Sequence, residues 1–155
     1  MEFTTKEDIN ATIDEVFAVL SDVDAIEKRA LRRGIEVRRT TAHVTPTPGM
    51  GWQAVFQFRG RKRTSDITLV EYDAPQRMVF ESVTGGLATR FSVDLVQMSK
   101  AHTRVTTNAM LKANTLSARL LVQSMKLAKS KINRKFAVRM TQFARDIEER
   151  AARLA

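Results

Sequence analysis

The side chains able to do chemistry are few and scattered. Lys129 is the one titratable group that helical spacing carries into an apolar arc. An unpaired ammonium buried there costs several kcal/mol. It must therefore snorkel to water, mark a bend in the helix, pair with a carboxylate such as Glu81 or Asp94, or face a polar cavity; snorkelling or a bend is the simpler reading. His43 and His102 are the only histidines, far apart in the chain and with no cysteine or acidic cluster at ligand spacing around them. The pattern points to no metal and no cofactor. His102 falls in a turn, where solvation is expected. "GMG" (Gly49–Gly51) lacks the third glycine of a dinucleotide fingerprint and the GK[ST] of a phosphate loop, and no nucleophile elbow is present. What remains is pocket chemistry: apolar walls with a few polar contacts, for which Thr107 and Tyr72 are candidates.

The chain has 155 residues, 43% of them hydrophobic, enough to bury one core, and is read as a single domain over 1–155. With no cysteine there is no disulfide, thiolate site or thiol nucleophile. No apolar run approaches the roughly 18 residues that span a bilayer. The N-terminus "MEFTTKEDIN" lacks the apolar core of a secretory signal, and a cytoplasmic location is expected. The net charge of +9 is uneven: residues 112–155 hold eleven Lys or Arg against three acids, whereas the first 111 residues are nearly balanced. "KLAKSKINRKFAVRM" (126–140) is the densest part. Its cations read as spread around the outer surface of a helix, with no aromatics interleaved for base stacking. Weak, salt-sensitive association with phosphates or anionic membrane is therefore expected, and no specific nucleic acid.

All three prolines and all six glycines precede Leu87, which confines the chain's punctuation to its first half. Thr12 and Glu15 form the S/T-x-x-E signature of a helix start ahead of Val16, Phe17, Val19 and Leu20. A second short helix is expected over 22–33, closed by Gly34. From "IEVRRTTAHV" onward the period becomes two: Trp52, Ala54, Phe56 and Phe58 share one face of a strand. Further strands carry Ile67 and Leu69, Met78 and Phe80, Phe91 and Val93, and Val105 and Thr107. "GRKR" and "DAPQ" read as turns. With a first strand near Glu2–Lys6 this makes about seven antiparallel strands.

The cover for their apolar faces is the C-terminal segment. At about 100° per residue, Leu121, Met125, Ile132, Phe136, Met140, Phe143, Ile147 and Leu154 fall on one side of a helix. Burying each such side chain contributes roughly 1.5–3 kcal/mol, so packing rather than charge sets where the helix lies. A straight helix over 115–153 would be about 58 Å long, too long for a domain with a radius of gyration of about 15 Å. It must bend, start late or overhang. Leu116, Leu120 and Leu127 lie opposite the stripe, which leaves room for a partner chain; monomer and homodimer both fit.

Taken together, "INATIDEVFAVLSD" (Ile9–Asp22), "PGMGWQAVF" (Pro48–Phe56), the run of strands and the final amphipathic helix resemble the SRPBCC superfamily of START lipid-binding domains, polyketide cyclases and pollen-allergen-like proteins. The resemblance covers nearly the whole chain. It implies an α+β helix-grip fold, in which a curved antiparallel sheet of about seven strands wraps a long C-terminal helix and two short helices follow the first strand. It also implies a cavity that binds or carries a hydrophobic small molecule. In that setting Trp52, Phe56, Phe58, Leu69, Phe80, Phe91, Val93, Thr107, Lys129, Ile132, Phe136 and Met140 become the candidate ligand contacts. Singly, the aromatics among these read more readily as plain core; the resemblance tips the set, not each member, towards lining a cavity. Two alternatives stand beside binding: a cyclase- or aromatase-like enzyme with Lys129 as its titratable group, and electrostatic docking of an anionic partner on the basic helix. Relatives often carry an aromatic after the "SD" of the first helix, whereas "VDAIEKRALRR" has none.

Overall fold

The computed structural model describes residues 1–154. The elements run β1 (Glu2–Ile9), α1 (Ile13–Leu20), α2 (Val23–Arg32), β2 (Glu36–Arg39), β3 (Gly51–Phe58), β4 (Arg61–Asp73), β5 (Arg77–Thr84), β6 (Leu87–Ser99), β7 (His102–Ala113), α3 (Leu116–Leu127) and α4 (Lys129–Leu154). Seven antiparallel strands form one curved sheet in the order β1-β7-β6-β5-β4-β3-β2. Every connection after β2 is a hairpin between neighbours. The N-terminal strand closes the far edge by pairing with β7, Glu2 opposite Met110 through Ile9 opposite Thr103.

The start of α1 is as the sequence predicts. Thr12 accepts from the Glu15 amide at 3.2 Å while the Glu15 carboxylate accepts from the Thr12 amide at 3.2 Å, a reciprocal capping box. α2 ends in a Schellman arrangement: Gly34 N–H donates to Leu31 O at 3.0 Å and Ile35 N–H to Ala30 O at 2.9 Å. Gly34 takes the positive φ of +81° that this turn requires. The motif sends Ile35 back under α2 and leaves Arg33 in solvent. The strand expected over "IEVRRTTAHV" is much shorter, ending at Arg39. Thr40 N–H still donates to Gly51 O at 2.9 Å, and beyond it the chain leaves the sheet; the Thr41 hydroxyl accepts from Gly51 N–H at 3.2 Å and hydrogen-bonds the His43 ring at 2.9 Å. Side-chain bonding to nearby backbone replaces the ladder here.

The core joins Ile9, Val16, Phe17, Leu20, Met50, Leu69, Met78, Val93, Leu95, Val105, Ala144, Ile147 and Ala151. α4 packs on β1 and α1, and α3 on β7. The C-terminal segment is two helices, broken at Ala128 (φ −103°, ψ 16°). This break answers the length problem. Lys129 keeps the phase of the α4 stripe but is exposed, because it stands at the first turn of α4. Neither carboxylate offered as its partner is free, since Glu81 pairs with Arg90 and Asp94 with Arg77. The apolar stripe is otherwise on the inner side, with Ile147 1% exposed and Leu121, Met125, Ile132, Phe136, Met140 and Phe143 half-buried. The Leu154 side chain lies outside the described residues. Leu116, Leu120 and Leu127 are exposed, as their opposite phase implies.

Two expected outcomes follow. A Cβ on Gly86 would lie 2.7 Å from the Cβ of Thr115, whose hydroxyl caps α3 by accepting from Ala118 N–H at 3.2 Å. Gly86→Ala should therefore lower the unfolding free energy by about 1–3 kcal/mol in urea denaturation, more than Thr115→Ala at about 1 kcal/mol, since it adds a clash to the lost cap. At the β1–β7 edge Asp8 faces Arg104 across the ladder, 2.8 Å between Oδ1 and Nε. The hydrogen bond from Arg104 holds the Asp8 carboxyl below its usual range. A depressed folded-state value stabilises above the ordinary carboxylate pKa and is lost as pH falls through the folded one. Asp8→Asn should thus flatten the acid limb of the stability–pH curve and leave its neutral-pH slope unchanged.

Candidate functional site

Between the concave face of the sheet, α2 and α4 lie two adjoining chambers. The first, about 290 Å³, is bounded by Ile9 on β1, Leu20 on α1, Met78 and Phe80 on β5, Phe91 and Val93 on β6, Val105 and Thr107 on β7, and Met140, Phe143, Ala144 and Ile147 on α4. The second, about 360 Å³, lies under α2 against β2, β3 and β4, with Trp52, Ala54, Phe56, Ile67, Ile35 and Val37 as its walls. Phe80 and Ile26 line both, so these two side chains divide them. Strand alternation puts every second residue of β3, β5, β6 and β7 on this face. α2 contributes Val23, Ile26, Glu27 and Ala30 at helical spacing.

Both chambers are apolar apart from a few anchored groups. In the first, Thr107 and Thr5 hydroxyls hydrogen-bond each other, and Glu7 Oε1 accepts from the Thr141 hydroxyl at 3.0 Å. At its edge the Arg29 guanidinium stacks 4.7 Å over the Phe143 ring and pairs with Asp146 at 3.4 Å, a cation–π contact contributing about 0.5–1 kcal/mol. In the second, Glu27 Oε1 accepts from Trp52 Nε1 at 3.0 Å and from Arg39 Nε at 2.6 Å. Arg39 also pairs with Asp24. The Glu27 hydrogen bond raises the Arg39 pKa, with Asp24 adding to it, so this guanidinium stays charged and its partner carboxylate is matched. The Trp52 and Phe80 rings meet with centroids 6.0 Å apart. No group of three or more His, Asp or Glu among the described residues could hold a metal ion.

Of the residues expected on the site, Phe80, Phe91, Val93, Thr107 and Met140 line the first chamber, and Trp52, Phe56 and again Phe80 the second. Five do not line either. Phe58 is on the same face as Phe56 but about 6.5 Å further along β3, past the cover of α2. It is 38% exposed between the Arg59 and Arg63 guanidinia, each 5.6 Å from its ring. Leu69 is fully buried in solid core. Ile132 and Phe136 sit on the part of α4 that crosses the edge strand, where Phe136 meets Phe3 edge-on at 6.3 Å. Lys129 is in solvent for the reason given above. Tyr72 packs on Phe17 at 5.5 Å instead of entering a chamber. His102 is exposed in the β6–β7 turn beside Ser99.

The α2 contribution was not anticipated. Its sequence looks merely charged, yet Val23, Ile26 and Ala30 recur at i, i+3 and i+7. Ala144 and Ala151 on α4 were missed similarly, since alanine carries little weight in a hydrophobic pattern although it permits close approach. The cations of α4 are also less scattered than they read: Lys131, Arg134 and Lys135 line one groove with Arg139 and with Arg33, the C-cap of α2.

A curved antiparallel sheet, two short helices and a C-terminal helix enclosing apolar space define a START-like, helix-grip protein. The family model described as "Polyketide cyclase / dehydrase and lipid transport" matches residues 1–153, and the chain belongs to this family, within the SRPBCC superfamily. No curated protein matches the chain. Among solved structures it is similar to norcoclaurine synthase from Thalictrum flavum (TM-score 0.67, 12% identity, covering 96% of this chain and 84% of that one). It is also similar to a Thermus thermophilus protein (0.66, 14%, 100% and 99%) and a START superfamily protein from Mycobacterium smegmatis (0.64, 11%, 99% of both). At these identities the likeness is one of fold. No helix among the described residues is long and apolar enough to cross a membrane.

Phe80→Ala should join the chambers; because the ring is half-buried, the loss of stability should fall below the roughly 3–5 kcal/mol of fully buried Phe truncations. Xenon-pressurised crystals of the variant should show density where the ring stood.

Proposed function

We propose that the chain binds a hydrophobic small molecule in the chambers between sheet, α2 and α4, and so acts as a binding or carrier module. The observation that carries this is the first chamber: walls from β1, β5, β6, β7 and α4 meet around about 290 Å³ of space without filling it. A largely apolar cleft of about this size, with a few convergent polar groups, is the usual form of a small-molecule site. The family description, which names lipid transport, supports the same reading.

Catalysis of the cyclase or aromatase kind requires a titratable group able to move a proton inside the cavity. Lys129, the sequence's candidate, is exposed. Glu27 is already bonded to Trp52 and Arg39, and Glu7, the carboxylate of the first chamber, is held at its wall by the Thr141 hydroxyl. Binding is therefore the reading the geometry supports best.

The neutral dye Nile red tests it by fluorescence titration. Stoichiometric binding with a blue-shifted emission is expected. Val105→Phe, which fills the first chamber, should weaken binding at least about tenfold, equivalent to roughly 1.4 kcal/mol. Phe136→Ala and Lys129→Met, which alter residues outside both chambers, should leave it within about twofold, a difference under roughly 0.5 kcal/mol. Dye affinity indifferent to Val105→Phe in a protein whose circular dichroism is unchanged would refute the proposal.

A further inference from the structure

The first chamber opens between α2 and α4 at a lip made by Arg29, Met140 and Phe143, and these same residues border an outer groove with Arg33, Arg139 and Gln142. That groove continues along α4 past Lys131, Arg134 and Lys135. Apolar interior and basic exterior thus form one continuous path. Arg33, Lys131, Arg134, Lys135 and Arg139 are all exposed, and none forms an ion pair among the described residues. Asp146 is the one acid on the path outside the lip, and it is engaged by Arg29.

Such an arrangement does not help the fold. Lys131, Lys135 and Arg139 repeat at intervals of four on one helix, where like charges repel, and a carboxylate at any of these positions would stabilise it. An anion in the groove relieves the repulsion. The groove's continuity with an apolar chamber says what else that anion must carry. A polymer of phosphates would leave the chamber empty, and a neutral hydrocarbon would leave the cations unmatched.

Resting on the binding function above, we propose that the ligand is an anionic amphiphile. Its apolar body fills the first chamber, and its carboxylate, sulfate or phosphate head lies outside the lip on Arg33 and Arg139. The Schellman turn that ends α2 holds Arg33 at this place while Ile35, two residues on, lines the second chamber. Arg29 is already engaged by the Phe143 ring and by Asp146 and is not the head's main partner.

The test is displacement of Nile red from the full chain by dodecanoate and by dodecanol, in the wild type and in Arg33→Gln/Arg139→Gln, at neutral pH and at low and high salt. Both competitors should displace the dye from the wild type. The double variant should weaken dodecanoate about tenfold, as two partly screened ion pairs allow, and dodecanol less than about twofold, with high salt acting as the variant does. Equal loss for acid and alcohol, or no loss for either, overturns the head-group assignment while leaving the chamber intact. Failure of both competitors in the wild type instead refutes the chamber as a ligand site, and the inference with it. Co-sedimentation with phosphatidylglycerol vesicles forms a separate arm. If the variant loses vesicle binding while dodecanoate is unaffected, the cations serve a bilayer surface and the proposal is wrong.

Discussion

The structure depends on how one helix finds its seat. Ala144, Ile147 and Ala151 of α4 are buried with Ile9 of β1 and with Val16 and Leu20 of α1. Two alanines on either side of an isoleucine let the helix come close at its C-terminal half. Its N-terminal half carries bulkier, half-buried residues, and there Phe136 meets Phe3 nearer the start of the same strand. The helix is therefore clamped at one end, and the larger side chains of its middle, Met140 and Phe143, roof space that the sheet does not fill. Moving the clamp would close the chamber or detach its roof.

Much of this architecture could be read from the residues. The capping box at Thr12, the change of period after Gly34, the alternating aromatics of β3 and the long apolar stripe each reflect a local rule, and local rules survive folding. What could not be read was curvature. Phe56 and Phe58 have the same phase in the same strand, yet one lines a chamber and the other meets solvent, because the cover ends between them. Phe136 shares the stripe with Met140 but meets Phe3 instead of lining a chamber. Phase tells which face a residue is on; only the paths of neighbouring elements tell what stands opposite.

The polar groups show a similar division. Lys129 drew attention as a charge in an apolar arc; it keeps that phase, but it stands at the first turn of α4, just past the break at Ala128, and there it is exposed. Glu27 drew none, being one acid in a charged segment, yet it ties α2 to β3 through Trp52 and to β2 through Arg39. Two elements separated by a long loop are thereby held around the second chamber. A short helix with a modest apolar face gains its position from those hydrogen bonds as much as from burial.

The partition between the chambers consists of side chains alone. Ile26 is 41% exposed, so its rotamers interconvert in picoseconds to nanoseconds, and a displacement of about 30° from a rotamer well costs only about 0.5–1.5 kcal/mol. The backbone around it, a hydrogen-bonded sheet and a helix with both ends satisfied, cannot yield so cheaply. Under the proposed binding role, length is the dimension in which the space would be tolerant and girth the one in which it would be strict: a slender guest would be admitted at nearly constant cost as it grows, whereas a broad one would have to pry strands apart.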